Sequence, residues 1–76
     1  MKTIKFESGK TYGAWQHDLV RTVEKRTECY VWIKGCKRLI REEFLRNLEG
    51  ELESIEYVIH NGLYYYACCD WDWAQK

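Results

Sequence analysis

At 76 residues, with 32% charged, 46% hydrophobic and 16% aromatic positions and a formal charge of zero, the chain has room for one domain, residues 1–76, and a small core. Met1–Lys10 lacks the apolar run of a secretory leader, and no stretch approaches the ~20 apolar residues of a membrane span, so a membrane protein is excluded from the expectation and a cytoplasmic one adopted. In that compartment the four cysteines are reduced thiols rather than bridges.

The zero charge hides an asymmetry. Residues 1–41 carry ten Lys/Arg against four acids, a net +6, and residues 42–76 carry two against eight, a net −6. Such a division points either to charged partners or to two halves that neutralise each other in the fold.

In chain order, Thr3–Phe6 reads as a short first strand, Glu7-Ser8-Gly9-Lys10 as a turn, and Thr11–Asp18 as irregular because Gly13 interrupts it. Leu19–Lys25 and Glu28–Lys34 are rich in β-branched and aromatic residues and read as two strands joined near Arg26-Thr27. In the second of these Cys29, Val31 and Ile33 share one face, while Tyr30 and Trp32 share the other. Lys34-Gly35 is a tight turn. Ile40, Phe44, Leu48 and Leu52 recur every four residues, Glu42 stands four before Arg46, and Gly50 is a stop signal, which together support a helix over roughly 41–49. The competing reading makes Arg38–Arg41 a short returning strand, with the helix beginning only at Glu42. The favoured reading is a short strand and then about two helical turns.

The last third is organised by Asn61-Gly62, the strongest two-residue hairpin signal, because a type I′ turn needs positive φ at both central positions. The turn fixes the register: His60 faces Leu63, Ile59 faces Tyr64, Tyr57 faces Tyr66 and Ile55 faces Cys68. The face carrying Ile55, Tyr57, Ile59, Tyr64 and Tyr66 is apolar throughout and is expected to be core. The face carrying Ser54, Glu56, Val58, His60, Leu63, Tyr65, Ala67 and Cys69, extended by Trp71 and Trp73, is expected to be a flank or a binding surface. The expected fold is thus α+β, mostly antiparallel β, a curled sheet or small open barrel with one short helix.

Lys10-Thr11-Tyr12, the strand end Val23-Glu24-Lys25-Arg26-Thr27, the Tyr30–Lys34 strand, the basic return Lys37-Arg38-Leu39-Ile40-Arg41 and the closing hairpin together resemble small uncharacterised proteins of phages and other mobile elements. The resemblance covers about residues 10–66, with Glu42–Ser54 standing out as an insertion that adds the helix. It implies a small accessory domain of a mobile element and supplies no catalytic residues.

Three chemistries compete for the functional reading. Cys29-x₆-Cys36 and the adjacent pair Cys68-Cys69, with His17 and His60, supply metal-ligand types for a cysteine-based metal-binding domain. The spacing is not that of a zinc site, and Cys68 and Cys69 point to opposite faces, so no metal or cofactor is assigned. No nucleophile elbow, phosphate-cradling loop or carboxylate pair is present, so no catalytic residue is assigned and the chain is read as a non-enzyme. A nucleic-acid module would use Tyr30 and Trp32 for stacking and Lys34, Lys37, Arg38 and Arg41 for phosphates, against a pI of only about 6.7.

The leading expectation is a protein-binding module. Glu49, Glu51, Glu53, Glu56, Tyr65, Asp70, Trp71, Asp72 and Trp73 combine acids with aromatic anchors, as an interface to a basic surface on a host protein would. In its most specific form this is an inhibitor of a host nucleic-acid-targeting defence complex.

Overall fold

The computed structural model describes residues 2–70. Eight strands follow one another: β1 (Lys2–Ile4), β2 (Thr11–Ala14), β3 (Val20–Arg26), β4 (Tyr30–Ile33), β5 (Cys36–Leu39), β6 (Arg41–Arg46), β7 (Leu52–His60) and β8 (Leu63–Asp70). They hydrogen-bond in the order β1-β7-β8-β2-β3-β4-β5, with β6 also on β7. The sheet curls into a half-barrel. Its strand pairs are antiparallel except β1 with β7, which is parallel with Thr3 opposite Ser54.

The expected α+β class is therefore corrected to all-β: the described residues contain no helix. The segment read as helix 41–49 is strand β6 followed by a turn. A repeat of four is also a multiple of two, so Phe44 recurs as readily on one face of a strand as of a helix. Phe44 and Leu48 are both exposed, so neither anchors a helix to the core. What decides the matter is the reversal at Asn47–Gly50, where the Asn47 side-chain oxygen accepts from the backbone N–H groups of Glu49 and Glu51, each at 2.9 Å. Gly50, with φ 84°, is the left-handed residue of that turn rather than a helix stop. It aligns Arg46 with Leu52 and Arg41 with Tyr57.

The closing hairpin has the expected register, with His60 opposite Leu63, Ile59 opposite Tyr64 and Tyr57 opposite Tyr66. Its turn residues Asn61 and Gly62 have φ of 52° and 78°. A second two-residue reversal, Lys34-Gly35, sets Ile33 opposite Cys36. Thr11–Ala14, read as irregular, is an interior strand between β8 and β3. Tyr12 and Ala14 point into the core and Gly13 lies near the Cys69 carbonyl.

The hairpin buries the face expected to be a flank, whereas of the face expected to be core Ile55 is buried, Tyr57, Ile59 and Tyr66 are half-buried and Tyr64 is exposed. Val58 (0% exposed), Tyr65 (1%), Ser54 and Ala67 point inward, and the core is completed by Phe6, Tyr12, Ala14, Val23, Val31 and Ile33. Tyr57, Tyr64 and Tyr66 lie on the outer side. Curvature explains the difference. Side chains converge on the inner side of a curled sheet, where the small residues Ser54, Val58 and Ala67 make room for the rings of Phe6, Tyr12 and Tyr65, and diverge on the outer side, which carries Tyr57, Tyr64 and Tyr66.

Besides Ser54, the titratable residues Glu56 and His60 enter the core with partners. Glu56 is paired with Arg26 (Oε1–Nη1 2.6 Å, Oε2–Nη2 3.2 Å) and its Oε1 also accepts from the Phe6 N–H at 2.9 Å. Arg26 donates in addition to the Phe6 carbonyl at 2.9 Å, so one ion pair ties β7, β3 and the segment after β1 together. His60 accepts at Nδ1 from Arg38 Nε at 3.0 Å, a contact that draws β5 toward β7. Burial, then the charges of Arg38, Arg21 and Lys34, hold the His60 pKa below its ordinary value.

Candidate protein interface on the outer face

The outer side of β7 and β8, with Trp15 just after β2, carries a continuous set of rings. Tyr57 stacks on Tyr66, directly opposite in the register, with centroids 5.1 Å apart. Tyr57 also stacks on Tyr64 at 5.9 Å, and Trp15 meets Tyr66 edge-on at 5.8 Å. Trp15 is held there by its backbone, whose N–H donates to the Tyr64 carbonyl at 2.7 Å. Cross-strand aromatic pairs of this kind contribute roughly 0.2–1 kcal/mol each.

Much of this apolar area faces solvent. Trp15 is 55% exposed, Leu45 46% and Tyr64 45%, a grouping of the sort that marks an interaction site rather than scattered surface residues. Beside the rings lies a cleft of about 340 Å³ lined by Trp15, Glu43, Leu45, Ile55, Tyr66 and Cys68. Burial first, then the Glu43 carboxylate beside its hydroxyl, pushes the Tyr66 pKa up to about 12. Cys68 is exposed as a residue but its thiol is partly desolvated in the cleft, and this, with neighbouring Cys69 adding to it, raises the thiol pKa to about 11. Cys68 is thus a protonated thiol at neutral pH and a poor nucleophile.

The residues expected to bind a protein are distributed unevenly. Glu49 and Glu51 are exposed in the β6–β7 turn, and Glu53 is half-buried on β7 opposite Leu45. Glu56 and Tyr65 are buried, which removes both from any surface. Asp70 is half-buried and meets Lys10 at 3.4 Å. Trp71, Asp72 and Trp73 lie outside the described residues. Apolarity alone assigns Tyr57, Tyr64 and Tyr66 to the core, yet these are the rings that reach the outer surface. Trp15 carries no signal of its own in a segment that reads as a loop.

The alternative nucleic-acid set is divided as well. Tyr30 and Trp32 share the outer side of β4. Lys37 Nζ sits 4.1 Å from the Tyr30 centroid and Lys25 Nζ 4.4 Å from that of Trp32. Lys25, not singled out in the sequence, is therefore the second cation of this group. Arg38 turns inward to His60, Lys34 is exposed in its turn, and Arg41 stands opposite Tyr57 on another part of the sheet.

For the cysteines, Cys29 and Cys68 are exposed and Cys36 and Cys69 half-buried, all as free thiols. Among the described residues no group of three or more His, Cys, Asp or Glu side chains could hold a metal ion. Nor is any helix among them long and apolar enough to cross a membrane. Comparison with known protein families, with characterised proteins and with solved structures finds no match.

Proposed function

We propose that this chain is a non-enzymatic binding module that docks on a partner protein through the outer aromatic face of its closing hairpin. The observation that carries the reading is the contiguous outer set Trp15, Tyr66, Tyr57 and Tyr64, whose packed rings are fixed before any partner arrives. Pre-ordered aromatic anchors lose little side-chain freedom on binding and are the residues that dominate interface energies. Arg41 and Glu43 border the set and Glu49, Glu51 and Glu53 follow on the neighbouring turn and strand, so acids outnumber cations around it and the complementary surface is a basic one. A host protein that handles nucleic acid offers such a surface, which keeps the mobile-element inhibitor as the most specific version of the proposal.

The nucleic-acid reading is the weaker one for a geometric reason. Lys37 and Lys25 lie over the rings of Tyr30 and Trp32, occupying the positions that bases would need for stacking.

The test compares retention of proteins from a bacterial lysate by the wild type and by Tyr57→Ser/Tyr64→Ser, alongside a gel shift with single- and double-stranded oligonucleotides. The proposal expects one or more specific proteins retained by the wild type and lost with the variant, and no salt-sensitive gel shift. Retention unchanged by the variant, or a salt-sensitive shift abolished by Lys25→Glu/Lys37→Glu, overturns it.

A further inference from the structure

Strand β6 is an edge. One side of its backbone pairs with β7 from Arg41 opposite Tyr57 to Arg46 opposite Leu52. Among the described residues no strand pairs with its other side. All six of its residues are exposed, with Phe44 54% exposed in the middle. Edge strands of this length are normally blunted by Pro, a bulge or charged side chains, and the charges that β6 carries, Arg41, Glu42, Glu43 and Arg46, are two of each sign. This chain has no proline, and β6 follows β7 through six consecutive pairs without a register shift.

From this edge we infer that a second copy of the chain pairs antiparallel along β6, with Phe44 on the two-fold axis. The side-chain pattern selects both the partner and the register. On one face of the strand the order is Glu42, Phe44, Arg46, a sequence complementary to its own reverse. With Phe44 opposite Phe44 of the second copy, Glu42 faces Arg46 and Arg46 faces Glu42, giving two ion pairs around an apolar centre. The contact is isologous and closes on itself. Neighbouring registers lose this match. Centring on Glu43 sets two carboxylates opposite each other, and centring on Leu45 sets Phe44 opposite Arg46 and Glu43 opposite Asn47. Like charges directly opposite are destabilising. A register centred between two residues would bring opposite faces of the two sheets to one side, which a two-fold axis does not allow.

The groups required are placed for the role. Glu42 accepts from the Ser54 hydroxyl at 2.8 Å through one carboxylate oxygen, leaving the other for a cation. Arg46 donates from Nη1 to the Gly50 carbonyl at 2.8 Å, which orients the guanidinium with its remaining N–H groups for a carboxylate. These side chains lie on the opposite face of β6 from Leu45 and Glu43, so the contact leaves the aromatic outer face open. It does not depend on the function proposed for that face.

The experiment is sedimentation of the full chain over a concentration series, for the wild type, E42R, R46E and an equimolar mixture of the two variants. The wild type is expected to approach about twice 9.2 kDa as concentration rises. Each variant alone sets like charges across both pairs, and its association weakens about tenfold or more. In the mixture the two arginines of the E42R chain face the two carboxylates of the R46E chain. Opposite charges are thereby restored at both pairs, and the mixture recovers the mass that neither variant shows by itself. A wild type that stays at 9.2 kDa at millimolar concentration overturns the inference, as does a dimer that both variants leave intact or a mixture no heavier than its components. If either variant loses its β-sheet circular dichroism, hydrogen exchange of the wild type decides. Residues 41–46 must become more protected as concentration rises, and unchanged protection refutes the pairing.

Discussion

Arg26 and Glu56 meet at 2.6 Å inside the curled sheet, where Glu56 is only 4% exposed. The pair reaches across from β3 to β7, and it also satisfies both backbone groups of Phe6. Removing one member leaves the other charge buried without its counter-ion, which costs far more than the pair itself contributes. Glu56→Ala or Arg26→Ala is expected to lower the unfolding free energy by about 3–5 kcal/mol, measured by urea denaturation. A joint replacement by residues of similar volume, Arg26→Met with Glu56→Leu, is expected to cost less than either single change.

His60 makes stability depend on pH. It is buried, its Nδ1 accepts from Arg38, and Arg38, Arg21 and Lys34 face it with positive charge, so its folded pKa lies below the usual value. The unfolded chain therefore takes up a proton more readily. Stability from this group is present above pH about 6.5, the unfolded value, and is lost as pH falls from there toward the folded pKa. The thermal midpoint should fall between pH 7.5 and 5.5, and the dependence should flatten in His60→Phe.

Gly62 should be replaceable only at a backbone cost. Its φ of 78° is left-handed, yet a Cβ at this position meets nothing within 4 Å. Gly62→Ala is thus expected to destabilise by about 1–2 kcal/mol without disturbing packing. Denaturation with an unchanged m-value would show it.

Tyr64 and Tyr65 are neighbours in sequence and opposites in the fold. Tyr64 is 45% exposed and Tyr65 1%. Tyr65→Ala is expected to cost about 3–5 kcal/mol, as large buried aromatic truncations do, whereas Tyr64→Ser should cost under about 1 kcal/mol. The reverse ranking would mean that the hairpin faces the other way.

Those two residues also mark what is legible in the sequence. Asn61-Gly62 and Lys34-Gly35 are local signals, and the pairs they impose, such as Tyr57 with Tyr66, follow from turn geometry alone. The choice of inner face is not local: it depends on the sheet's curvature, and a count of apolar residues favours the ring-bearing side that the curl turns outward. Glu56 and His60 look like surface residues because their partners, Arg26 and Arg38, are distant in sequence. Phe44 and Leu48 suggest a helix because a spacing of four suits both periods, and Asn47 with Gly50 carries the decisive turn signal. Trp15 escapes notice because Gly13 disguises β2, and the ring set it completes exists only once β2 lies beside β8.

The most direct test of the proposed docking face places a photo-crosslinking phenylalanine analogue at position 64, on the outer hairpin face, or at position 30, beside Lys37, and irradiates each protein in a bacterial lysate. A discrete protein adduct is expected from position 64, one that excess unlabelled wild type competes away, and none from position 30. A competed adduct from position 30 alone, or no adduct from position 64, would contradict the proposed docking.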